Sequence, residues 1–166
     1  MNLGDMLPMT SINLKRRQLL AGSLLLVLPR AWAASDPPAT PVSPLVEVWK
    51  SPACGCCKDW VAHIEQNGFM VRVNEGNSAA ARHRFGIADQ YGSCHTAAVE
   101  GYAIEGHVPA REIRCLLAER PDAIGLAVPK MPIGSPGMDG PEYGGDKAPY
   151  DVLLLTKNGG SRVFQS

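Results

Sequence analysis

The stretch LVEVWKSPACGCCK, residues 45–58, contains a short strand pattern followed by a turn rich in cysteine. Four of its first five residues are β-branched, apolar or aromatic, and Ser51-Pro52 follows as a stop signal, which predicts a strand. After the cysteines, an apolar face at i, i+3, i+4 and i+7 predicts a helix from about Cys56 to Gln66. The residues of this face are Cys57, Trp60, Val61 and Ile64. Because residues 69–73 form a second strand pattern, the sequence predicts a βαβ unit with parallel strands.

The remainder of the chain continues the alternation of strands and helices. Residues 78–85 are rich in Ala and Arg and favour a helix, and a loop over 86–92 leads to Cys94. The predicted elements that follow are a hairpin (96–99 and 102–104), a helix after Pro109, a Pro/Gly-rich excursion (129–149) and a final hairpin (152–155 and 163–164). This order predicts an α/β, thioredoxin-like fold with an added C-terminal Pro/Gly-rich loop and β-hairpin.

The N-terminal residues have the pattern of an export signal. Lys15-Arg16-Arg17 precedes an apolar run over 19–28 that is too short for a membrane helix, and Ala31-Trp32-Ala33 supplies a cleavage site. We therefore expect a signal peptide over residues 1–33, through the twin-arginine route that the paired arginines resemble or through the ordinary secretory one. Residues 34–44, rich in proline, are predicted to be a linker, and residues 45–166 the domain.

Composition and charge exclude several function classes. The chain has 166 residues, of which 45% are hydrophobic and 19% charged, so it is not disordered by composition. The first 33 residues hold four of the 16 basic residues and one of the 16 acidic residues, which leaves a mature chain with a net charge of −3. Such a chain has no electrostatic footprint for nucleic acid and no polybasic patch for a membrane after signal cleavage.

The cysteines carry the chemistry. Cys54, Cys56 and Cys57 lie where a strand passes into a helix N-terminus, a position that lowers the pKa of a thiol. In a thioredoxin-like fold the loop before the third strand faces this position, so we expect Cys94 to lie opposite them. Four sulfurs exceed the need of one disulfide couple and suit a soft metal such as copper(I), zinc or an iron–sulfur cluster. Structural disulfides, common in exported chains, are the alternative.

Four separated blocks resemble one known family. They are SPACGCCK (51–58), CHTAAVEGY (94–102), EGHVPA (105–110) and MPIGSPGM (131–138). Together they resemble the exported, thioredoxin-like metal-binding family that includes the CopG-type copper-resistance proteins. The resemblance implies a periplasmic protein of copper handling that holds copper on Cys54, Cys56, Cys57 and Cys94. The chain departs from the family pattern at Lys130, where a small residue is expected, and at Cys115.

Several histidines and methionines, and the fifth cysteine, are considered as further metal ligands. His107 lies in a matched block before a helix and is a candidate ligand, whereas His95 should point away from Cys94 by strand alternation. Met131 and Met138 frame a loop over 130–138 that we expect to cover the cysteines, and their thioethers suit copper(I). His63 and His83 are expected on helix surfaces, and Cys115 is expected to be an inert thiol.

Two classes of function therefore stay open. One is a protein that binds copper ions, with other periplasmic copper-handling proteins as partners and with copper redox cycling on the same sulfurs as a variant. The other is an enzyme, a thiol-disulfide oxidoreductase that uses Cys54 and Cys57. A zinc site with three cysteines and one histidine is a third alternative, although such sites usually draw ligands from two short pairs.

Overall fold

The computed structural model describes residues 43–166. The predicted signal peptide, and all but the last two residues of the predicted linker, lie outside these residues. The described elements are β1 (Leu45–Lys50), α1 (Gly55–Gln66), β2 (Met70–Glu75), α2 (Ser78–Arg84), β3 (His95–Val99), β4 (Tyr102–Gly106), α3 (Ala110–Glu119), β5 (Gly125–Val128), β6 (Val152–Leu155) and β7 (Ser161–Gln165). In this part of the chain no helix is long and apolar enough to cross a membrane.

The strands form one sheet in the order β2-β1-β3-β4-β5-β6-β7. Strands β1 and β2 are parallel, which confirms the predicted βαβ unit. Both predicted hairpins are also present, as the antiparallel pairs β3–β4 and β6–β7. The α/β class is therefore confirmed, with seven strands and three α-helices in the described residues.

Strand β5 was not predicted from the sequence. It is only four residues long and lies between β4, to which it is parallel, and β6, to which it is antiparallel. It begins at Gly125, where a Cβ atom would lie 1.7 Å from the carbonyl oxygen of Ala103. Glycine allows the two backbones to approach this closely, and the same glycine weakens the strand pattern in the sequence.

Helix α1 packs on the sheet through the predicted face. Cys57, Trp60 and Ile64 are fully buried, and Val61 is half-buried against the same core. The indole Nε1–H of Trp60 donates to the carbonyl of Val108 at 2.9 Å, which satisfies its polar atom inside the core. This packing fixes the N-terminus of α1, and with it the cysteines, against the end of the sheet.

Candidate metal centre

The four predicted cysteines meet at one end of the sheet. Cys54 is the residue before α1, and Cys94 is the residue before β3. Because β1 and β3 are antiparallel with Lys50 opposite His95, the start of β3 lies beside the end of β1. The sulfur atoms of Cys54, Cys56, Cys57 and Cys94 all lie within 4.8 Å of one another.

Two of these sulfurs form a disulfide, between Cys54 and Cys57. Among the described residues Cys56, Cys94 and Cys115 are free thiols. The sulfur of Cys56 lies 3.6 Å from that of Cys54 and 3.8 Å from that of Cys94. The structure therefore contains a two-electron disulfide couple, with the thiol of Cys56 in contact with it and the thiol of Cys94 within 4.8 Å.

His107 lies against Cys94. The imidazole is fully buried, and its Nε2 is 3.1 Å from the sulfur of Cys94. Its Nδ1 is 2.8 Å from the carbonyl oxygen of Pro136, which can only accept, so Nδ1 carries the proton and the lone pair of Nε2 faces the sulfur. Burial lowers the pKa of His107, which favours this neutral form.

Burial has the opposite sign for the neighbouring thiol. Burial, together with the nearby Cys56, raises the pKa of Cys94 to about 12. Cys94 is therefore a thiol at neutral pH in this form of the protein. Any metal that binds its sulfur must displace the thiol proton.

The expectation that His95 points away from Cys94 is wrong. Its ring is fully buried, and Nδ1 lies 3.4 Å from the sulfur of Cys94. Cys94 precedes the first residue of β3, so the alternation of a strand does not apply between the two residues. The ring packs against Trp60, with 4.3 Å between centroids, and within the described residues its Nε2 has no hydrogen-bond partner. Cys94, His95 and His107 form a second group of close donor atoms.

The 130–138 loop contacts His107 and the first turn of α1, both of which border this site. The carbonyl of Pro136 accepts from His107, and Gly137 lies so close to α1 that a Cβ atom there would be 2.6 Å from the carbonyl oxygen of Cys56. Gly137 adopts a φ of +81°, a conformation that favours glycine. The loop is thus seated on the first turn of the cysteine-bearing helix.

The two methionines frame this loop differently. Met131 is 47% exposed, and Met138 is half-buried with its N–H donating to the carbonyl of Ser135. Lys130, where a small residue was expected, has a left-handed φ of +65°. This conformation favours glycine or asparagine, which gives the expectation its physical reason.

The remaining candidates lie apart from the four sulfurs. His63 is half-buried rather than on the surface, and its Nε2 accepts from the N–H of Ala110 at 3.1 Å. His83 is exposed, as predicted, and lies 3.6 Å from Asp89. Cys115 is a half-buried thiol on α3.

The polar groups that bind Ser93, the residue before Cys94, were not predicted from the sequence. Glu105 is fully buried and lies 3.0 Å from Arg82, and both bind the backbone of Ser93. Thr96 donates to Glu105 from the opposite strand at 2.6 Å. A glutamate and a threonine inside apolar hairpin strands are the signal that could have revealed this network, because buried polar groups need partners.

Comparisons with known proteins agree with the resemblance seen in the sequence. Residues 91–138 match a family model described as "Protein of unknown function, DUF411". A solved structure of "Copper resistance protein copG", form 2, is 43% identical, with a TM-score of 0.67, and the match covers 73% of this chain and 95% of that one. Form 1 is also 43% identical, with a TM-score of 0.66 and coverage of 72% and 93%. No curated protein sequence is significantly similar to the chain.

Proposed function

The chain belongs to the family of the CopG copper-resistance proteins, and from this premise we propose that it is a periplasmic protein of copper resistance or homeostasis that binds copper(I). The ligands are the thiolates of Cys54, Cys56, Cys57 and Cys94. The observation that carries the proposal is the approach of these four sulfurs to within 4.8 Å of one another. Thiolates are soft ligands that suit copper(I), zinc or an iron–sulfur cluster, and the relationship to copper resistance proteins favours copper(I) among these.

Copper binding to all four cysteines requires reduction of the disulfide between Cys54 and Cys57. Two electrons and two protons convert it to two thiols, and copper(I) then displaces the thiol protons. In the reverse direction, two copper(II) ions would oxidise these two thiols to the disulfide and yield two copper(I) ions and two protons. The same pair of residues therefore supports copper storage and copper redox chemistry.

One histidine and two methionines are further ligands in this proposal. The lone pair of His107 Nε2 faces the sulfur of Cys94 and is available to a copper ion there. Met131 and Met138 supply thioethers from the 130–138 loop, which covers the site.

We place the signal peptide at residues 1–33, the linker at 34–44 and a thioredoxin-like domain at 45–166, with copper ions and other periplasmic copper-handling proteins as partners.

Replacing Cys56 by serine tests the copper site. A cluster that uses all four thiolates should lose most of its copper(I) in Cys56→Ser, measured by elemental analysis of reduced protein together with a free-thiol count. Cys115→Ser is the matched control, because Cys115 is also a half-buried free thiol but lies on α3. Full copper content in Cys56→Ser would rule out the four-cysteine site.

The disulfide itself favours a second candidate, a thiol-disulfide oxidoreductase that uses Cys54 and Cys57. Such an enzyme needs only these two cysteines, so Cys56→Ser should keep its activity in a disulfide-reduction assay, while Cys54→Ser should abolish it. Copper content and reductase activity of the same two variants thus separate the two functions.

A further inference from the structure

The residue before Cys94 is held by three different segments of the chain. The N–H of Ser93 donates to Oε1 of Glu105 at 2.7 Å, and its carbonyl accepts from Nη2 of Arg82 at 2.9 Å. Its hydroxyl donates to the carbonyl of Lys130. Every polar group of Ser93 is therefore bonded, to β4, to α2 and to the 130–138 loop.

Arg82 and Glu105 form an ion pair inside the protein. Nε of Arg82 lies 3.0 Å from Oε1 of Glu105, and the two side chains are 12% and 0% exposed. Thr96 donates to the other carboxylate oxygen at 2.6 Å, so both oxygens of Glu105 are bonded. Removing two charges from water is unfavourable, and such pairs are weak contributors to stability. A contribution to stability alone therefore does not explain why this ion pair is buried.

The geometry of the pair explains its burial, because both side chains bind the backbone next to Cys94. The planar guanidinium uses Nε for Glu105 and Nη2 for Ser93, and Glu105 binds the same residue from the other side. The guanidinium also fills the space beside Gly92, where a Cβ atom would lie 2.9 Å from Cζ of Arg82. The two side chains thus fix residues 92–93 immediately before Cys94.

We propose that Arg82 and Glu105 are positioning residues of the copper centre: they hold Ser93 and thereby fix the sulfur of Cys94 opposite Cys56 and His107. The ion pair forms through the packing of α2 on the sheet and acts on the sulfurs only through the backbone. The pair is comparable to the groups that hold the ligands of a metal ion in position, whose loss weakens metal affinity by about 10–100-fold. The proposal rests on the proposed copper site for its role, but the restraint on Cys94 can be measured without copper.

Arg82→Lys is the test variant, because lysine keeps the charge but cannot bind Glu105 and Ser93 with one planar group. Copper(I) affinity is measured by chelator competition in Arg82→Lys, Cys94→Ser and the double variant. We expect Arg82→Lys to weaken affinity about tenfold when Cys94 is present and less than about twofold when it is absent. An equal loss in both backgrounds would overturn the proposal, since the effect would then not pass through Cys94.

Alkylation of the reduced, copper-free protein provides the independent readout. The rate at Cys94 relative to Cys115, followed by mass spectrometry, should rise several-fold in Arg82→Lys, because the restraint on Cys94 is lost while α3 is unchanged. Arg72→Lys, which alters the exposed pair with Glu47, is the matched control and should leave affinity and alkylation ratio unchanged. An unchanged Cys94 ratio in folded Arg82→Lys would refute the restraint.

Two further outcomes are informative. If wild-type protein binds no copper(I) but the alkylation ratio rises in Arg82→Lys, the proposed function fails and the restraint on Cys94 stands. If Arg82→Lys does not fold, Glu105→Gln replaces it, because glutamine keeps the shape of the side chain and removes the charge that Arg82 binds. The same affinity cycle and the same alkylation ratio then decide the proposal.

Discussion

Replacing Gly137 by alanine should lift the 130–138 loop from the cysteine-bearing helix. A Cβ atom at this position would lie 2.6 Å from both the carbonyl oxygen of Cys56 and the amide nitrogen of Trp60. Both neighbours belong to the backbone of α1, which cannot move without displacing the buried side chain of Trp60. The loop must therefore yield, and the hydrogen bond from His107 to Pro136 lies next to the clash.

The magnitude follows from three contributions. A left-handed conformation costs an alanine about 1–2 kcal/mol, of which the reduced entropy of the unfolded chain returns about 0.4–1 kcal/mol. Crowding against a packed backbone adds about 1–3 kcal/mol, and loss of the buried hydrogen bond adds about 1 kcal/mol. We expect Gly137→Ala to lower the free energy of unfolding by about 4 kcal/mol.

Gly144→Ala is the matched control for backbone strain. Gly144 has a φ of +75°, close to the +81° of Gly137, but a Cβ atom there would meet nothing within 4 Å. Its substitution should cost only about 1 kcal/mol. Urea unfolding of both variants measures the difference, and a difference below about 0.5 kcal/mol would refute the seating of the loop on α1.

Three other results are expected. Copper(I) under reducing conditions should raise the thermal midpoint, because a ligand at a thousandfold excess over its Kd stabilises the folded state by about 4 kcal/mol, and no rise at saturation would contradict a site specific to the folded chain. Burial and the nearby His107 lower the pKa of His95 well below 6.5, so the unfolded chain binds more protons as the pH falls below 6.5. The free energy of unfolding should therefore fall on acidification from about pH 7.5 to 5.5. His95→Phe should reduce the slope of this fall by up to about 1.4 kcal/mol per pH unit, and an unchanged slope would contradict the lowered pKa of His95. Replacing Met131 and Met138 together by leucine keeps their volume, so a fall in copper(I) affinity would report thioether ligation, and a change under about twofold would return both to a packing role.

Local patterns in the sequence determined the elements that build the site. The spacing of Cys57, Trp60 and Ile64 predicted which face of α1 is buried, and the helix begins within one residue of the predicted position. The parallel pair β1–β2 and both hairpins also followed from short-range patterns of strand, turn and helix residues. The family resemblance, carried by four blocks, predicted the copper-resistance relationship that the solved structures show.

The tertiary structure decided which side chains meet around Cys94. The packing of the His95 ring on Trp60, the ion pair between Arg82 and Glu105 and the contact of Pro136 with His107 each join residues more than 20 positions apart in the chain. Such contacts depend on the register of the sheet and on the packing of helix and loop upon it, and a shift of one residue would reverse every side chain of a strand. The pattern of one segment carries no information about that register. The sequence therefore predicted which four cysteines come together, and only the packed sheet decided which side chains surround them.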